Sequence, residues 1–484
     1  MKYMLLAVCT TASLLLLSSC KDSEDTEDDP DISLDTYVCS FPQSSTVEMH
    51  SVSLKADTIL GRGYDVMGNF LAATNMKRCV VNVPDSEIVR FGYLKSDANA
   101  YIGTDANSYL QNIMYDNGFS QDESSKENKW FTGTIKDYYK NPLDYATAYS
   151  FAGKDVFFTQ TIMKANLKSD IKYILKNRLT TQFKNDLNSL TASQLIDKYG
   201  THVLCTAYIG MRLRGMVNCV VAESNEDAAK DAFCRLSAQM KETVGSSNLE
   251  VLNNSKAARC YGGTLHVNFN GGDISKVTFT TDGARVTAQY SHWWNNENID
   301  LNHFALTELH KDDLIPLYEF IADENKKEAV KEAINQYIAD NQLKEPEMLP
   351  LFQAFMGPHH KYVTSYDDAQ KTSGCGGSDT EKCKSPLGLI YKTQQSGTVP
   401  LYRYSNAKND RLSTSASIDD AGDYQPNGIV GYVYAAPVES AAVIAVYELW
   451  NGSHDYACTT ENLESYDSKQ TWKKTGNVFY LVKP

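Results

Sequence analysis

The sequence predicts an α+β body over residues 37–345 and an all-β module over residues 346–484. Three observations predict it. Helix-like and strand-like stretches come in blocks rather than in strict alternation, which favours an antiparallel sheet with segregated helices over a doubly wound parallel sheet. From about residue 358 the helical period stops and strand patterns take over. Within that stretch a repeat appears at an offset of 45 residues.

The body is justified element by element. Residues 59–70, ILGRGYDVMGNF, set Gly61, Gly63 and Gly68 among apolar residues, as a tight turn into a first strand requires. Residues 78–83 and 88–94 are β-branched and aromatic, and read as strands. Residues 100–145 are polar, with weak helical periodicity. Residues 146–164 alternate as a long strand or hairpin. Residues 167–198 read as helical, because Leu167, Ile171, Ile174, Leu175, Leu179 and Phe183 recur at three- and four-residue steps. Thr191 caps a second short helix there. Residues 203–221 form an apolar strand. Residues 223–244 form an amphipathic helix whose inner stripe is Ala229, Ala232, Phe233, Leu236 and Met240. Strand segments with Gly262-Gly263 and Gly271-Gly272 fill 261–290, and 304–341 is helical again. Pro346 and Pro350 mark a linker.

In the module, Val399-Pro400-Leu401-Tyr402 aligns with Ile444-Ala445-Val446-Tyr447, Asn406 with Asn451, and Asp410 with Asp455. Residues 428–432 and 476–480 close these two units. Gly388-Leu389-Ile390-Tyr391 closes an earlier, degenerate unit beginning near His360. Three units predict a pseudo-threefold, β-trefoil-like module, since three propeller blades are too few to close a ring. Tyr402, Tyr447 and Trp450 are candidates for stacking on sugar faces, and Asn406, Asn451, Asp410 and Asp455 for binding hydroxyls. The alternative is that the tyrosines pack the interior and Asn and Asp make turns. Cys375 and Cys383 flank a polar Gly-rich loop and form the candidate disulfide.

The chain has 484 residues, 46 basic and 60 acidic, for a formal charge of −14. Apolar residues make up 42% and charged ones 22%, enough to bury a core. The acidic balance argues against nucleic-acid binding, which needs clustered Lys and Arg. Residues 21–31 alone hold seven acidic side chains and one Lys, so the excess is concentrated.

Residues 1–19 read as a signal peptide: Lys2 supplies the positive start, and the apolar run ending at Leu17 is too short to span a bilayer. Leu17-Ser18-Ser19-Cys20 resembles a bacterial lipobox, which implies lipidation of Cys20. Residues 20–36 form an acidic tether. Its start, Lys21-Asp22-Ser23-Glu24-Asp25, resembles the export signal of Bacteroidota lipoproteins. The resemblance implies a lipid-anchored, surface-exposed place on the outer membrane, with release in vesicles.

Two further segments carry a family resemblance. Tyr199-Gly200-Thr201-His202 resembles the aromatic-Gly-Thr-His motif of the membrane-attack-complex/perforin (MACPF) family. Leu60-Gly61-Arg62-Gly63-Tyr64-Asp65-Val66 resembles its N-terminal Gly-Tyr-Asp-Val segment. The helix before the motif, the strand after it, Gly262-Gly263 and the Trp293-Trp294 region follow the family order over residues 45–342. The resemblance implies a bent, twisted four-stranded antiparallel sheet flanked by helical clusters. It makes Tyr199, Gly200, Thr201, His202 and Gly210 structural, and Gly61, Gly63, Gly262 and Gly263 hinge glycines. The chain departs from the family at Val203, where a large aromatic is usual, and at Met211, where a second Gly is usual.

In pore-forming members the two helical clusters unfurl into amphipathic hairpins. Many copies then close a barrel, because closure satisfies every backbone group in lipid. Residues 100–145 and 223–260 occupy those positions. Read as a strand, 223–244 puts Asp231, Phe233 and Arg235 on one face. The chain has no Gly-x-Ser-x-Gly elbow, HExxH, P-loop, EF-hand loop or zinc-spaced Cys/His cluster. The reading therefore assigns no catalytic residue, metal or cofactor. The expected protein is a toxin-like antimicrobial pore former similar to those secreted by Bacteroidales. It would dock on a receptor or glycan of a target cell, form a homo-oligomer on the lipid membrane and insert hairpins. The alternative is a non-lytic adhesin or glycan-binding protein with the same fold.

Overall fold

The strands of the body, in chain order, begin with β1 (Ser33–Phe41), β2 (Ser45–Ser53), β3 (Arg62–Tyr64), β4 (Met76–Cys79), β5 (Ile88–Gly103), β6 (Tyr149–Ala165), β7 (His202–Leu204) and β8 (Thr206–Val221). Its early helices are α1 (Ala106–Asp116), α2 (Gly133–Lys136), α3 (Ile171–Asn177), α4 (Thr181–Ser189) and α5 (Ala192–Tyr199). The structure is a computed structural model. It describes residues 33–41, 45–53, 59–221, 230, 232–234, 236, 240–243, 248–252, 260–261, 263–272, 278–282, 285–289, 303–356, 359–373, 386–418, 422–439, 442–452, 455–460 and 472–484. Cys20, Gly262, Cys375, Cys383, Trp293 and Trp294 lie outside the described residues. Ile32–Pro484 is one compact unit.

Four antiparallel strands make the centre of the body: β5, β6, β8 and Leu265–Asn270, in that order across the sheet. They belong to an eight-stranded sheet in which the β1–β2 hairpin covers the Leu265–Asn270 edge, β2 running parallel to that strand. The expected strand over 146–164 is a single one. The strand expected at 88–94 runs on to Gly103. Its second half, Lys95-Ser96-Asp97-Ala98-Asn99, is polar because β5 is an edge strand with a wet face.

The helix expected over 167–198 is three short helices. Thr180 and Thr191 both hold extended backbone and accept from Phe183 N (3.2 Å) and Gln194 N (3.3 Å), so each starts a new helix. The apolar stripe thus turns corners instead of running straight. The helix expected over 304–341 is confined to Glu324–Asp340, preceded by strands His303–Leu306 and Leu314–Pro316. In the expected helix 223–244, residues 230, 232–234 and 236 are helical and Ala232 and Leu236 are buried, but Met240–Thr243 is a strand. It joins Asn248–Leu252, Arg285–Gln289 and Thr278–Asp282 in a small antiparallel sheet.

The module is pseudo-threefold. Its units pair Met348–Met356 with His359–Val363, Thr398–Ser405 with Asp410–Ser413, and Val443–Trp450 with Tyr456–Thr459. Each unit is closed by one more strand: Gly388–Tyr391, Gln425–Tyr434 or Lys473–Val482. These three closing strands touch one another. The core repeats in threes: Leu351, Leu401 and Val446 meet Tyr362, Leu412 and Cys458. The first unit therefore begins at Met348, not near His360, and Pro350 lies in a strand, not in a linker. Proline is tolerated there because residues 348–351 pair on one side only.

Candidate functional site

The two motif segments, far apart in sequence, are bonded side by side. β3 pairs with β7, matching Tyr64 to His202 and Gly63 to Val203. Thr201 Oγ1 donates to Tyr64 O and accepts from Val66 N, both at 3.2 Å. Gly63 is demanded by sterics, since a Cβ there would lie 1.7 Å from Tyr199 O. Tyr199 is fully buried, and its hydroxyl donates to Asp186 Oδ2 at 2.5 Å. Lys198 reaches the same oxygen at 2.6 Å. Burial pushes the Asp186 carboxyl up, but Lys198, Tyr199 and Gln182 outweigh it and hold it below its ordinary value. His202 is buried, with Nδ1 3.0 Å from Thr201 Oγ1 and its ring against Trp130. Burial drives its pKa down to about 3, so the ring is neutral and acts as packing and hydrogen-bonding material. Beside it lies a cavity of about 520 Å³ with an apolar wall that includes Trp130, Leu314, Ile334 and Ile338.

Gly210 marks the bend of the long sheet. A Cβ there would fall 1.8 Å from Phe158 O, and the β6–β8 register slips at Thr159 beside it. At Ile209–Gly210 β8 pairs with the strand His303–Leu306, and from Arg212 onward it pairs instead with Leu265–Asn270. Gly61 sits just before β3, and Gly263 just before the Leu265–Asn270 strand.

A buried charge cluster was missed in the sequence. Arg212 and Arg214, on β8, and Asp155, on β6, are each 2% exposed. Arg214 grips Asp155 with two bonds of 2.6 Å, and Arg212 lies 3.7 Å from the same carboxylate. Arg214 Nη1 donates to Phe70 O and Asn69 Oδ1, both at 3.1 Å, and Arg212 Nη1 and Nη2 donate to Phe70 O and Leu71 O at 3.4 Å. Leu71 holds a left-handed φ of 63° at this turn. Burial alone would raise the Asp155 carboxyl, but the two Arg charges hold it below its ordinary value. Burial and then the Arg214 charge lower Arg212 to about 10. The signal was the run Met211-Arg212-Leu213-Arg214, two cations at strand spacing in an otherwise apolar stretch.

Segments 104–148 and 222–264 both leave the same end of the sheet. Gly103 pairs with Phe151, Tyr149 with Val220, and Cys260 with Val221. The first segment is packed: Tyr109, Leu110, Ile113, Phe131, Ile135 and Tyr139 are buried, and Asp105 and Ser108 form a reciprocal cap on α1.

Asn406, Asp410, Trp450, Asn451 and Asp455 lie at or beside the hairpin turns, Tyr402 and Tyr447 lie within strands, and Tyr402, Trp450 and Tyr456 share one aromatic cluster. The carboxylates are not at the surface. Asp410, 3% exposed, accepts from Tyr362 N, Lys361 Nζ and Ser405 Oγ. Asp455, 2% exposed, lies 3.1 Å from His360 Nδ1. Both carboxylates tie their hairpins to the His359–Val363 strand instead of facing a ligand. Asn406 and Asn451 accept from backbone N–H groups within their own turns. Tyr402, Tyr447 and Trp450 are half-buried, and Lys474 Nζ covers the Tyr447 ring at 4.2 Å. One end of the module seats on the body: Met348, Leu389, Tyr391 and Val482 belong to the body's own core.

The MAC/Perforin domain model matches residues 53–347. No curated protein matches the chain. Among solved structures, the chain resembles a MAC/Perforin-domain protein from Bacteroides thetaiotaomicron at 18% identity, over 64% of this chain and 66% of that one, with a TM-score of 0.48. The chain thus spans just under two thirds of that protein. It also resembles GNIP1Aa from Chromobacterium piscinae at 14% identity, over 87% and 81% of the two chains, with a TM-score of 0.46. Astrotactin-2, a vertebrate-specific perforin-like membrane protein, follows at 11% identity, over 87% and 67%, with a TM-score of 0.27. With the domain match covering more than half of its length, the chain belongs to the MAC/Perforin domain family.

Proposed function

We propose that this is a pore-forming, toxin-like antimicrobial protein, exported as a surface lipoprotein through Cys20. Its module docks on a receptor or glycan of a target cell, copies associate on the membrane, and segments 104–148 and 222–264 insert as β-hairpins. One observation supports this most. The four central strands alternate in direction, three of them are 16 or 17 residues long, and both segments open from the same end of the sheet. Strands grown from that end continue the sheet without changing its order. An even number of strands per copy also lets neighbouring copies join antiparallel, so a ring can close with no free edge.

Protein lacking residues 1–20, added to dye-loaded vesicles and to target bacteria, tests the reading. Dye release together with ring-shaped particles by electron microscopy is the expected outcome. Bound protein that neither leaks dye nor forms rings removes it. The adhesin reading draws on a different observation, the deep packing of 104–148, whose buried aromatic residues would all have to leave the core. It predicts binding with the helices intact. The anchor is tested separately: Cys20→Ala removes acyl labelling and surface retention if Cys20 is the lipid site.

A further inference from the structure

A short connector joins the body to the module, and it bonds segment 104–148 near its start, its middle and its end. Residues 341–347 follow the helix Glu324–Asp340 and precede the first module strand, with no strand or helix of their own apart from a terminal turn. Glu345 Oε1 accepts from Ala106 N (2.8 Å) and Asn107 N (3.3 Å), the first donors of α1, and Glu345 Oε2 accepts from the Asn107 side chain. Gln342 and Lys129 exchange two bonds: Lys129 N donates to Gln342 Oε1 at 2.7 Å, and Gln342 Nε2 to Lys129 O at 3.0 Å. Asn341 O accepts from Thr132 Oγ1 (3.0 Å) and Lys136 Nζ (2.7 Å). At the far end of the segment, Thr147 N donates to Pro346 O at 3.0 Å. Thr147 Oγ1 accepts from Met348 N at 3.0 Å and donates to Met348 O at 3.2 Å.

We propose that residues 341–348 are a clasp, which holds segment 104–148 in its helical form and lets it go when the module is displaced from the body. The start, middle and end of the segment are all tied to these eight residues. Met348 is shared: it bonds Thr147 and also pairs with Tyr391 as the first residue of the module sheet. A movement of that strand is therefore a movement of the clasp. Residues 341–347 belong to no ladder, so they can shift without breaking a sheet. Each bond they make is to a backbone or side-chain group that water can satisfy once the segment opens. The role of the released segment rests on the proposed pore-forming function; the clasp itself does not.

Hydrogen–deuterium exchange on the full chain tests the clasp without a membrane. Glu345→Ala and the milder Gln342→Ala are expected to speed exchange within 104–148 by about tenfold and less, respectively. Exchange in β6 and β8 should stay unchanged. Tyr391→Ala loosens the module's seat while removing none of the bonds that residues 341–347 make to the segment, and it should speed the same segment. An unchanged segment in Glu345→Ala overturns the clasp, as does an equal rise in β6 and β8. An unchanged segment in Tyr391→Ala overturns the coupling to the module. A parallel arm measures dye release from vesicles of phosphatidylethanolamine, phosphatidylglycerol and lipopolysaccharide. If neither the unaltered chain nor the variants leak, the pore-forming reading fails while exchange still judges the clasp. If the unaltered chain leaks and Glu345→Ala leaks no faster, opening the clasp does not license insertion, and the inference is overturned.

Discussion

The long sheet and the segment 104–148 are neighbours held by different physics. β5, β6 and β8 are locked by long backbone ladders, each pairing broken by one register shift, and the buried Arg214 is paired within the sheet by Asp155. The segment has no ladder. Its helices span 11 and 4 residues, below the length at which an isolated helix is stable. It depends on aromatic burial and on polar bonds lent by residues 341–348. The sheet is thus complete without the segment, whereas the segment is incomplete without its surroundings. A fold of this kind can change one part while keeping the other.

The comparison is broken most severely by attacking the sheet's internal charge. Asp155→Ala leaves two buried guanidinium groups with no counter-charge, and the expected loss is about 3–5 kcal/mol of unfolding free energy. Denaturant titration of the purified variant reads it directly. A loss near 1 kcal/mol would mean that the Phe70 and Leu71 carbonyls carry the cations by themselves. Gly63→Ala comes next. Its new Cβ meets Tyr199 O at a distance no side chain tolerates, so the β3–β7 pairing must part. The expected cost is about 3 kcal/mol, the upper range for overpacking. A variant as stable as the parent would show that the motif junction has room that the close approach denies.

Much of this contrast was legible in the sequence. The two motif segments were legible as family motifs, and their pairing through β3 and β7 is what the structure adds. Thr191 announced a cap, and it caps α5. Long apolar alternation announced β6. Other features were hidden for physical reasons. Residues 95–99 of β5 are polar because an edge strand solvates one face, so the strand expected at 88–94 stops short of them. The role of Arg212 and Arg214 in an apolar strand was hidden because their partner, Asp155, comes from a strand far away in the chain. The first module unit was hidden by its spacing. Leu349-Pro350-Leu351 echoes Val399-Pro400-Leu401 at an offset of 50, not 45, and proline resembles a linker unless its strand is paired on one side only. The bonds of residues 341–348 to α1 and Thr147 join positions about two hundred apart, and no local pattern encodes them.

Acidity sharpens the segment's side of the comparison. Burial, and then the Asp105 charge, push the Glu345 carboxyl up from its ordinary 4.5 to about 7. Asp105 faces it from the α1 cap and the Tyr145 hydroxyl from the turn before β6; the Glu345 charge contributes to raising Tyr145. The proton is therefore bound more tightly in the clasped form than in a released one, where Glu345 would be hydrated. The clasp's hold is fully present below about pH 4.5 and weakens as pH rises through about 7. Exchange of residues 104–118, corrected for intrinsic chemistry, should be several-fold faster at pH 8 than at pH 6. Glu345→Gln should flatten that difference. Faster opening at pH 6 in the unaltered chain would contradict this sign.

The smallest effect belongs to the sheet's own surface. Arg90 pairs with Asp85 at the start of β5, with side chains 38% and 75% exposed. Water already solvates both partners, and holding two mobile side chains together costs entropy, so Arg90→Ala should change stability by about 0–0.5 kcal/mol. The same sheet would then contain two Arg–Asp pairs that differ about tenfold in consequence. The difference would come from burial and from the second cation, Arg212, that shares Asp155. Measuring Asp155→Ala and Arg90→Ala side by side decides whether the sheet's rigidity lies in its interior. A large loss in Arg90→Ala would move that rigidity to the β5 edge and erase the contrast with the segment.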